Sequence, residues 1–470
     1  MKMKSLRHII QLSIASMMFC MLSACGYKIV RESPSMALPE QFGATAAVRQ
    51  ALQNSADTQI KVDAQWWQLL NDSVLNELQN RLMSGNQNLK ASAAQVRQAK
   101  AALDAAQASL WPSLGVNSGA TRGTTVTNPN ATNIFTLSAP ISWELDVWGR
   151  IDAQGAVARS GLLASQEDEA AARLSLQATL VQLYIGLRTA EAQKDVLNRA
   201  EQTYAKALQL TEYRYQAGVV SAADVAQAQV QLRGAQAQAI DVATTRQQLL
   251  HAIAVLLGEM PSQLNVIATA NIPTTPALPD VIPASLLQRR PDIRAAQMRV
   301  VSANAQVGAA RAAFFPMVTF AASSGYRSND MSTLVSSVTR AWSLGPAIAL
   351  SVFDGGARRA ASDQALALVD QTSAQYRQVV LTAVQEVEDN LIAIAQLQEQ
   401  AKAQSQVLQA ANKNLDIAQA QYAAGTVSFL NVALAQASAL TAERSLLDVK
   451  SRQAVAVNVL MKNLAGRWGV

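Results

Sequence analysis

Few residues in this chain could carry out catalysis or bind a metal. The 470 residues include two histidines, His8 and His251, and two cysteines, Cys20 and Cys25. Because His8 and both cysteines lie within the first 25 residues, the rest of the chain cannot build a Cys/His zinc site, a pair of haem ligands or a disulfide framework. A Ser–His–Asp triad would depend on His251 alone, whereas an enzyme that uses only carboxylates is not excluded by counting. The count therefore argues against these metal, haem and disulfide sites.

The first 24 residues are predicted to be a signal peptide, with basic residues before an apolar stretch over 9–22 that is too short to span a bilayer. The sequence Leu22-Ser23-Ala24-Cys25 follows and resembles the lipobox of bacterial lipoproteins. This resemblance implies that Cys25 is the first mature residue, carries a covalent lipid and leads an extended segment over 25–65. Gly26, in place of an aspartate, implies sorting to the outer membrane. The alternative is an ordinary signal peptide with a chance cysteine.

Two short segments that share a Tyr-x-x-Gly pattern are typical of tight turns between helices. Gly218 and Gly425 stand where a left-handed residue ends a helix. Ser221 and Ser428 stand where the next helix would have its N-cap. Asp224, three residues after Ser221, would stabilise that helix through its dipole.

The sequence contains an internal repeat with a period of about 205 residues, and each copy includes one of these turns. Residues 89–112 align with 293–316, and residues 215–221 align with 422–428. The aligned proline, tyrosine and glycine carry more weight than the many alanines. The first predicted repeat, over 66–270, contains a helix, two strands, a long helix and a final helix. The second, over 271–470, begins with a linker and then has the same elements in the same order.

Each repeat contains a very long helix with a heptad pattern. Over 357–423, apolar residues such as Val380, Val387 and Ile394 recur every seven residues, which favours a left-handed supercoil. The first repeat has the same pattern over 151–215. At 1.5 Å per residue, such helices would be roughly 100 Å long.

Period-two segments precede both long helices and predict two strands in each repeat. Phe135, Leu137 and Ile141 alternate with small or polar residues, and Leu344, Ile348, Leu350 and Val352 follow a similar pattern, with predicted connections over 127–133 and 327–341. Strands of about 10 residues with this alternation suit a transmembrane β-barrel. A soluble hairpin with one buried face is the alternative. Four strands cannot close a membrane barrel, so a membrane-spanning interpretation requires several chains to share one barrel.

The charge pattern gives no support for nucleic-acid binding. Only 15% of the residues are charged, and loss of Lys2, Lys4 and Arg7 with the signal peptide lowers the net charge from +6 to +3. Basic residues are scattered, without runs or interleaved aromatic residues.

The chain resembles the outer-membrane factors of tripartite efflux pumps, which form the TolC-like family. Within this family it is most similar to the lipidated branch that serves RND pumps. The resemblance covers the whole mature chain. Its markers are Trp66-Trp67 with Asn71-Asp72 and Leu75, Leu286-Leu287 with Arg289-Arg290-Pro291-Asp292-Ile293, Ala309-Ala310-Arg311-Ala312-Ala313-Phe314-Phe315-Pro316, Phe353-Asp354-Gly355-Gly356, and the duplicated Tyr-x-x-Gly turn.

This resemblance implies an α+β membrane protein and a homotrimer. Each subunit would give four strands to a 12-stranded outer-membrane β-barrel and its helices to a periplasmic α-barrel. The lumen would be a passive duct for drugs or other toxic small molecules, which a periplasmic adaptor and an inner-membrane RND pump deliver. The resemblance further implies a protein that is not an enzyme and holds no metal, and the covalent lipid on Cys25 would be the only attached group.

The resemblance also assigns roles to the turns. They would form the periplasmic tip that docks the adaptor, with Tyr422 and Asp224 closing the duct. Val427 replaces a basic gate residue, and Asn431 and Leu434 stand where acidic rings often occur, so cation selectivity is in doubt. The alternative is a heptad core tyrosine and an aspartate that compensates a helix dipole. The predicted tip residues are Gly218, Val219, Val220, Ser221, Gly425, Thr426, Val427 and Ser428.

Two other functions are alternatives to an efflux duct. A type I protein-secretion duct is disfavoured by the lipobox. A structural periplasmic coiled-coil lipoprotein without a pore is disfavoured by the period-two strands and by the duplication.

Overall fold

The structure is a computed structural model that describes residues 65–125, 128–273 and 284–465. The predicted signal peptide over 1–24 and the predicted lipidation site Cys25 lie outside the described residues. Within those residues, no helix has both the length and the apolar character that crossing a membrane requires.

Helices account for most of the described chain. The prediction of a long helix over 357–423 is confirmed, and the helix predicted over 151–215 extends one residue further at each end. Short 3-10 helices lie at Trp66–Leu70, Ala284–Arg289, Met331–Thr333 and Ser337–Thr339. The α-helices are α1 (Ser73–Gly85), α2 (Gln87–Ala108), α3 (Arg150–Gln216), α4 (Ala222–Leu257), α5 (Pro291–Ala312), α6 (Ala357–Ala423) and α7 (Phe429–Asn463).

Many of the predicted heptad positions lie in the core. Leu180, Leu187 and Leu197 of α3 are buried, and so are Val387 and Ile394 of α6. The seven-residue spacing keeps these side chains on one stripe of each helix. The hydrophobic pattern therefore identified the packed face of both long helices.

Local sequence also sets where helices begin. The α5 helix starts at Pro291 with Asp292 in its first turn. Ahead of α3, the Asp146 carboxylate accepts hydrogen bonds from the backbone N–H groups of Ile151 and Asp152, at 3.0 and 2.7 Å. The carboxylate thus satisfies N–H groups that lack a partner within the helix.

The described strands form one antiparallel sheet. Both β1 and β2 pair with successive parts of β3, β3 pairs with β4, and β4 pairs with β5. Since β1 and β2 share one position beside β3, the sheet is four strands wide. The strands are β1 (Ser113–Leu114), β2 (Asn117–Thr125), β3 (Asn128–Leu145), β4 (Met317–Ser328) and β5 (Arg340–Ala349).

The prediction of a connection over 127–133 is wrong. The β3 strand already begins at Asn128, and Thr132 pairs with Gly123. Polar residues can belong to an antiparallel ladder where a partner strand supplies the hydrogen bonds, as it does within 128–133.

The second predicted connection, over 327–341, is slightly too long. The β4 strand ends at Ser328 and β5 begins at Arg340. Leu350 and Val352, which the alternation placed in the last strand, follow the end of β5.

Strand β5 is an edge strand with an exposed apolar face. Trp342 is 75% exposed, and Leu344 and Ile348, at alternate positions beyond it, are exposed too. Within the described residues, β5 has a partner on one side only. An exposed apolar edge of this kind is a surface for pairing with another chain.

The described chain divides into two compact units. The first consists of Gln95–Gln166 and Ala295–Arg377 and contains the sheet. The second consists of the described residues up to Ala94, Glu167–Arg294, and the residues from Gln378 onward. Each unit draws on both predicted repeats, whose boundary near 270 stays a prediction.

A charged network lies in the core of the second unit. The Glu191 carboxylate accepts hydrogen bonds from Arg188 Nη1 at 2.7 Å, Arg246 Nε at 2.9 Å and the Thr269 backbone N–H at 3.0 Å. Arg188 also donates to the carbonyl of Ile267 at 2.8 Å. Helices α3 and α4 thereby hold the extended segment that follows α4.

Tyr184 extends this network to the start of α1. It donates a hydrogen bond to the carboxylate of Asp72, the N-cap of α1, and accepts from Arg188 Nη2 at 2.7 Å. Burial, followed by the bond to Asp72, raises the pKa of the Tyr184 hydroxyl above its usual range. Burial lowers the pKa of Arg188, but the hydrogen bonds to Glu191 and Tyr184 outweigh it and raise the pKa above its ordinary value.

Candidate gate and docking turns

The first predicted turn is a helix-terminating glycine turn. Gly218 has a φ of 72°, in the left-handed region. Its N–H donates to the carbonyl of Tyr215 at 2.9 Å, and the Val219 N–H donates to the carbonyl of Arg214 at 2.9 Å. These two bonds are the Schellman pattern, which closes the C-terminus of α3.

The second predicted turn repeats this arrangement at the end of α6. Gly425 has a φ of 73°, its N–H donates to the carbonyl of Tyr422 at 3.1 Å, and the Thr426 N–H donates to the carbonyl of Gln421 at 3.0 Å. A Cβ at Gly218 or Gly425 would meet nothing within 4 Å, so the left-handed backbone alone makes glycine necessary.

The two serines that follow the turns differ. Ser221 caps α4, because the Asp224 N–H donates to its Oγ at 3.3 Å, while the Asp224 carboxylate accepts from the Ser221 N–H at 3.1 Å and from its Oγ at 2.9 Å. This is a capping box. Ser428 occupies the N-cap position of α7, but its side chain makes no capping hydrogen bond. The predicted caps are therefore correct in position, and only Ser221 acts through its side chain.

The predicted tip residues form an exposed surface. Val219 is 69% exposed, and Val220 and Val427 are half-buried. The other five are exposed. An exposed pair of turns with apolar side chains is compatible with docking a partner.

Tyr422 is a packed residue in this structure. It is 8% exposed, and its ring meets that of Phe429 edge to face at a centroid distance of 5.5 Å. Ala228 of α4 and Ala418 of α6 complete the surrounding cluster with Val432. The buried Tyr422 hydroxyl has no hydrogen-bond partner among the residues that the structure describes.

The structure does not join Tyr422 to Asp224 by a hydrogen bond in the part of the chain that it describes. The Asp224 carboxylate is occupied by Ser221, as the capping box requires. The side chain of Val427 carries no donor, and the neighbouring Asn431 and Leu434 are exposed and uncharged. The packed tyrosine and the dipole-compensating aspartate of the alternative interpretation describe the local geometry, and the gate role stays a prediction.

Arg214, which none of the predicted sites includes, contacts the second turn. Its guanidinium carbon lies 4.7 Å from the centroid of the Tyr422 ring, and its Nη1 donates to the Tyr422 carbonyl at 3.1 Å. The two residues are 208 positions apart, so no local pattern connects them. The available signal was a cation one residue before the first tyrosine of the repeated turn.

Comparison with known proteins reveals extensive similarity. The sequence profile of the family described as outer membrane efflux protein matches residues 78–259 and 282–466, more than half of the chain. Outer membrane protein OprJ of Pseudomonas aeruginosa is 30% identical over 466 residues, covering 95% of this chain and 94% of that protein. The toluene efflux pump outer membrane protein TtgF of Pseudomonas putida is 30% identical over 412 residues, covering 86% of this chain and 85% of that protein.

Similarity extends to solved structures. The outer-membrane channel OprN aligns with a TM-score of 0.86 and 29% identity, covering 94% of this chain and 99% of that chain.

Proposed function

Since this chain belongs to the outer membrane efflux protein family, we propose that it is the passive outer-membrane exit duct of a tripartite RND-type efflux system. It conducts toxic small molecules to the exterior and receives them from an inner-membrane pump through a periplasmic adaptor. The energy for transport comes from the pump. The structural observation that carries this proposal is the four-strand-wide sheet with an exposed apolar edge at β5.

A sheet with open edges supports a barrel shared between chains. In lipid, each unpaired backbone group costs several kcal/mol, so an isolated four-strand sheet would not be stable there. Pairing β5 of one copy with the β1–β2 side of the next removes both edges. Three copies then give the 12-stranded barrel that the family resemblance implies, with the exposed Trp342, Leu344 and Ile348 facing lipid.

Particle mass tests this assembly. Light scattering of the protein in mild detergent, corrected for bound detergent, should give three chains per particle. A stable monomer that retains its strand signal would contradict both the shared barrel and the duct.

The turns at Gly218 and Gly425 form the periplasmic tip in this proposal. Their exposure supports docking of the adaptor, and the packing of Tyr422 supports a closed resting state. Removing Tyr422 and Asp224 together should loosen the tip, because the first fills the cluster between the helices and the second holds the capping box.

Planar-bilayer recordings test the gate. Tyr422→Ala combined with Asp224→Ala should raise resting conductance above that of the parent protein. Tyr215→Ala is the matched control, because Tyr215 is the equivalent tyrosine of the first turn and is 49% exposed. A double variant with the parent's resting conductance would refute the gate role.

The substrates are proposed to be small organic toxicants. TtgF belongs by name to a toluene efflux pump, and the uncharged Asn431 and Leu434 give no reason to expect strong cation selectivity. Deletion of the gene should sensitise cells to toluene or to antibiotics, and expression of the parent chain should restore resistance. Unchanged sensitivity to every such compound would point to another cargo.

A further inference from the structure

Within the described residues of one chain, no hydrogen bond joins Tyr422 to a carboxylate. Among the described residues, the Tyr422 hydroxyl has no hydrogen-bond partner, the Asp224 carboxylate is bound by Ser221, and the side chain of Val427 carries no donor. We propose that Arg214, at the end of α3, is the positioning residue that latches the second turn shut by gripping Tyr422. This inference rests on the proposed duct function.

Two contacts carry the proposal, and both end on Tyr422. The guanidinium lies over the aromatic ring at 4.7 Å, within the range of a cation–π interaction. Its Nη1 also donates to the Tyr422 carbonyl at 3.1 Å. No carboxylate within the described residues pairs with Arg214, so the guanidinium is not drawn to another partner.

The gripped carbonyl is the one that anchors the glycine turn. Tyr422 O accepts the Schellman bond from the Gly425 N–H at 3.1 Å and the bond from Arg214 at the same time. A cation placed at the last turn of α6 is also favoured by the helix dipole. Arg214 therefore stabilises the end of α6 and the turn together, from a neighbouring helix.

Comparison of the two repeats shows that, in the described part of the chain, only the second turn receives such an arginine contact. In the first turn the equivalent tyrosine is Tyr215, which is 49% exposed, and the residue equivalent to Arg214 is Gln421, which is exposed and uncharged. The second turn therefore has no cationic side chain at the equivalent position that could contact Tyr215. Release of Arg214 should therefore free the turn at Gly425 and leave the turn at Gly218 as it is.

Hydrogen exchange of the full-length protein in detergent tests the latch without relying on transport. In Arg214→Gln, amides over 423–426 should exchange about tenfold faster than in the parent, the factor that about 1.4 kcal/mol supplies. Arg214→Lys should be intermediate, because it keeps the charge and loses the planar fork. Amides over 216–219 should be unchanged. Arg233→Gln is the control, since Arg233 is an exposed arginine of α4 that bonds to Gln236 of the same helix.

Bilayer recordings of the same variants test whether the latch closes the duct. Arg214→Gln should raise resting conductance severalfold while Arg233→Gln matches the parent. Adding Tyr422→Ala to Arg214→Gln should raise conductance by less than the two single effects combined, because both changes remove the cation–π contact and only Arg214→Gln also removes the bond to the residue 422 carbonyl.

The possible failures are distinguishable. Equal exchange over 423–426 in Arg214→Gln and the parent would overturn the latch, as would additive conductance effects of the two changes. Faster exchange in Arg214→Gln with no conductance in any variant would leave the latch standing and overturn the proposed duct.

Discussion

Glu191→Gln should release the segment over 264–269, which follows α4 and is bonded to side chains of α3 and α4. The Glu191 side chain is 3% exposed and holds Arg188, Arg246 and the Thr269 N–H. Replacing the carboxylate with a neutral amide leaves the buried Arg188, whose side chain is 1% exposed, without its counter-ion. Breaking a buried ion pair on one side costs about 3–5 kcal/mol.

Most of this cost should appear as local opening. The carbonyls of Val266 and Ile267 accept from Arg246 and Arg188, so the segment over 264–269 depends on the network for its attachment. A loss of about 3 kcal/mol corresponds to a factor of about 150 in the opening equilibrium. Hydrogen exchange of peptides covering 264–269, measured by mass spectrometry on the protein in detergent, should accelerate by about two orders of magnitude.

Glu443→Gln is the matched control. Glu443 pairs with Arg199 at 2.9 Å, but the two side chains are 36% and 61% exposed, so the pair contributes less than about 1 kcal/mol. Its removal should leave exchange over 264–269 within about twofold of the parent, as expected for an exposed pair. If Glu191→Gln also stayed within that limit, the network would not be what holds the segment.

Three further outcomes are expected. Gly425→Val places a side chain on a residue with a φ of 73°, which costs roughly 1–2 kcal/mol or more. This variant should restore drug sensitivity without loss of trimers, whereas Gly234→Val within α4 should keep resistance. Loss of trimers in Gly425→Val would contradict the proposed docking role of the turn. Mass spectrometry of the mature N-terminus should find an acylated Cys25, absent in Cys25→Ser; an unmodified Cys25 would remove the proposed anchor. Burial raises the pKa of Tyr204 to about 12, so the stability that the neutral Tyr204 hydroxyl contributes should be complete below the unfolded pKa of about 10 and lost as pH rises through 12. The ultraviolet titrations of the parent and of Tyr204→Phe should differ near pH 12, and a difference near pH 10 would refute the assignment.

Sequence alone determined the features that depend on local periodicity and backbone chemistry. The heptads located α3 and α6 to within one residue, because a side chain every seven positions fits only a continuous helical stripe. Gly218 and Gly425 marked both helix ends, because a left-handed residue is the least strained way to close a helix. Pro291 marked the start of α5 for a similar local reason.

Tertiary structure decided the contacts between residues that are far apart in sequence. Arg214 and Arg188 look alike as helical arginines, yet one lies over Tyr422 and the other is buried against Glu191. Which neighbour an arginine meets depends on how whole helices pack, and no pattern along one helix encodes that. The start of β3 at Asn128 was missed for the same reason, since polar residues enter a ladder once a partner strand supplies the hydrogen bonds.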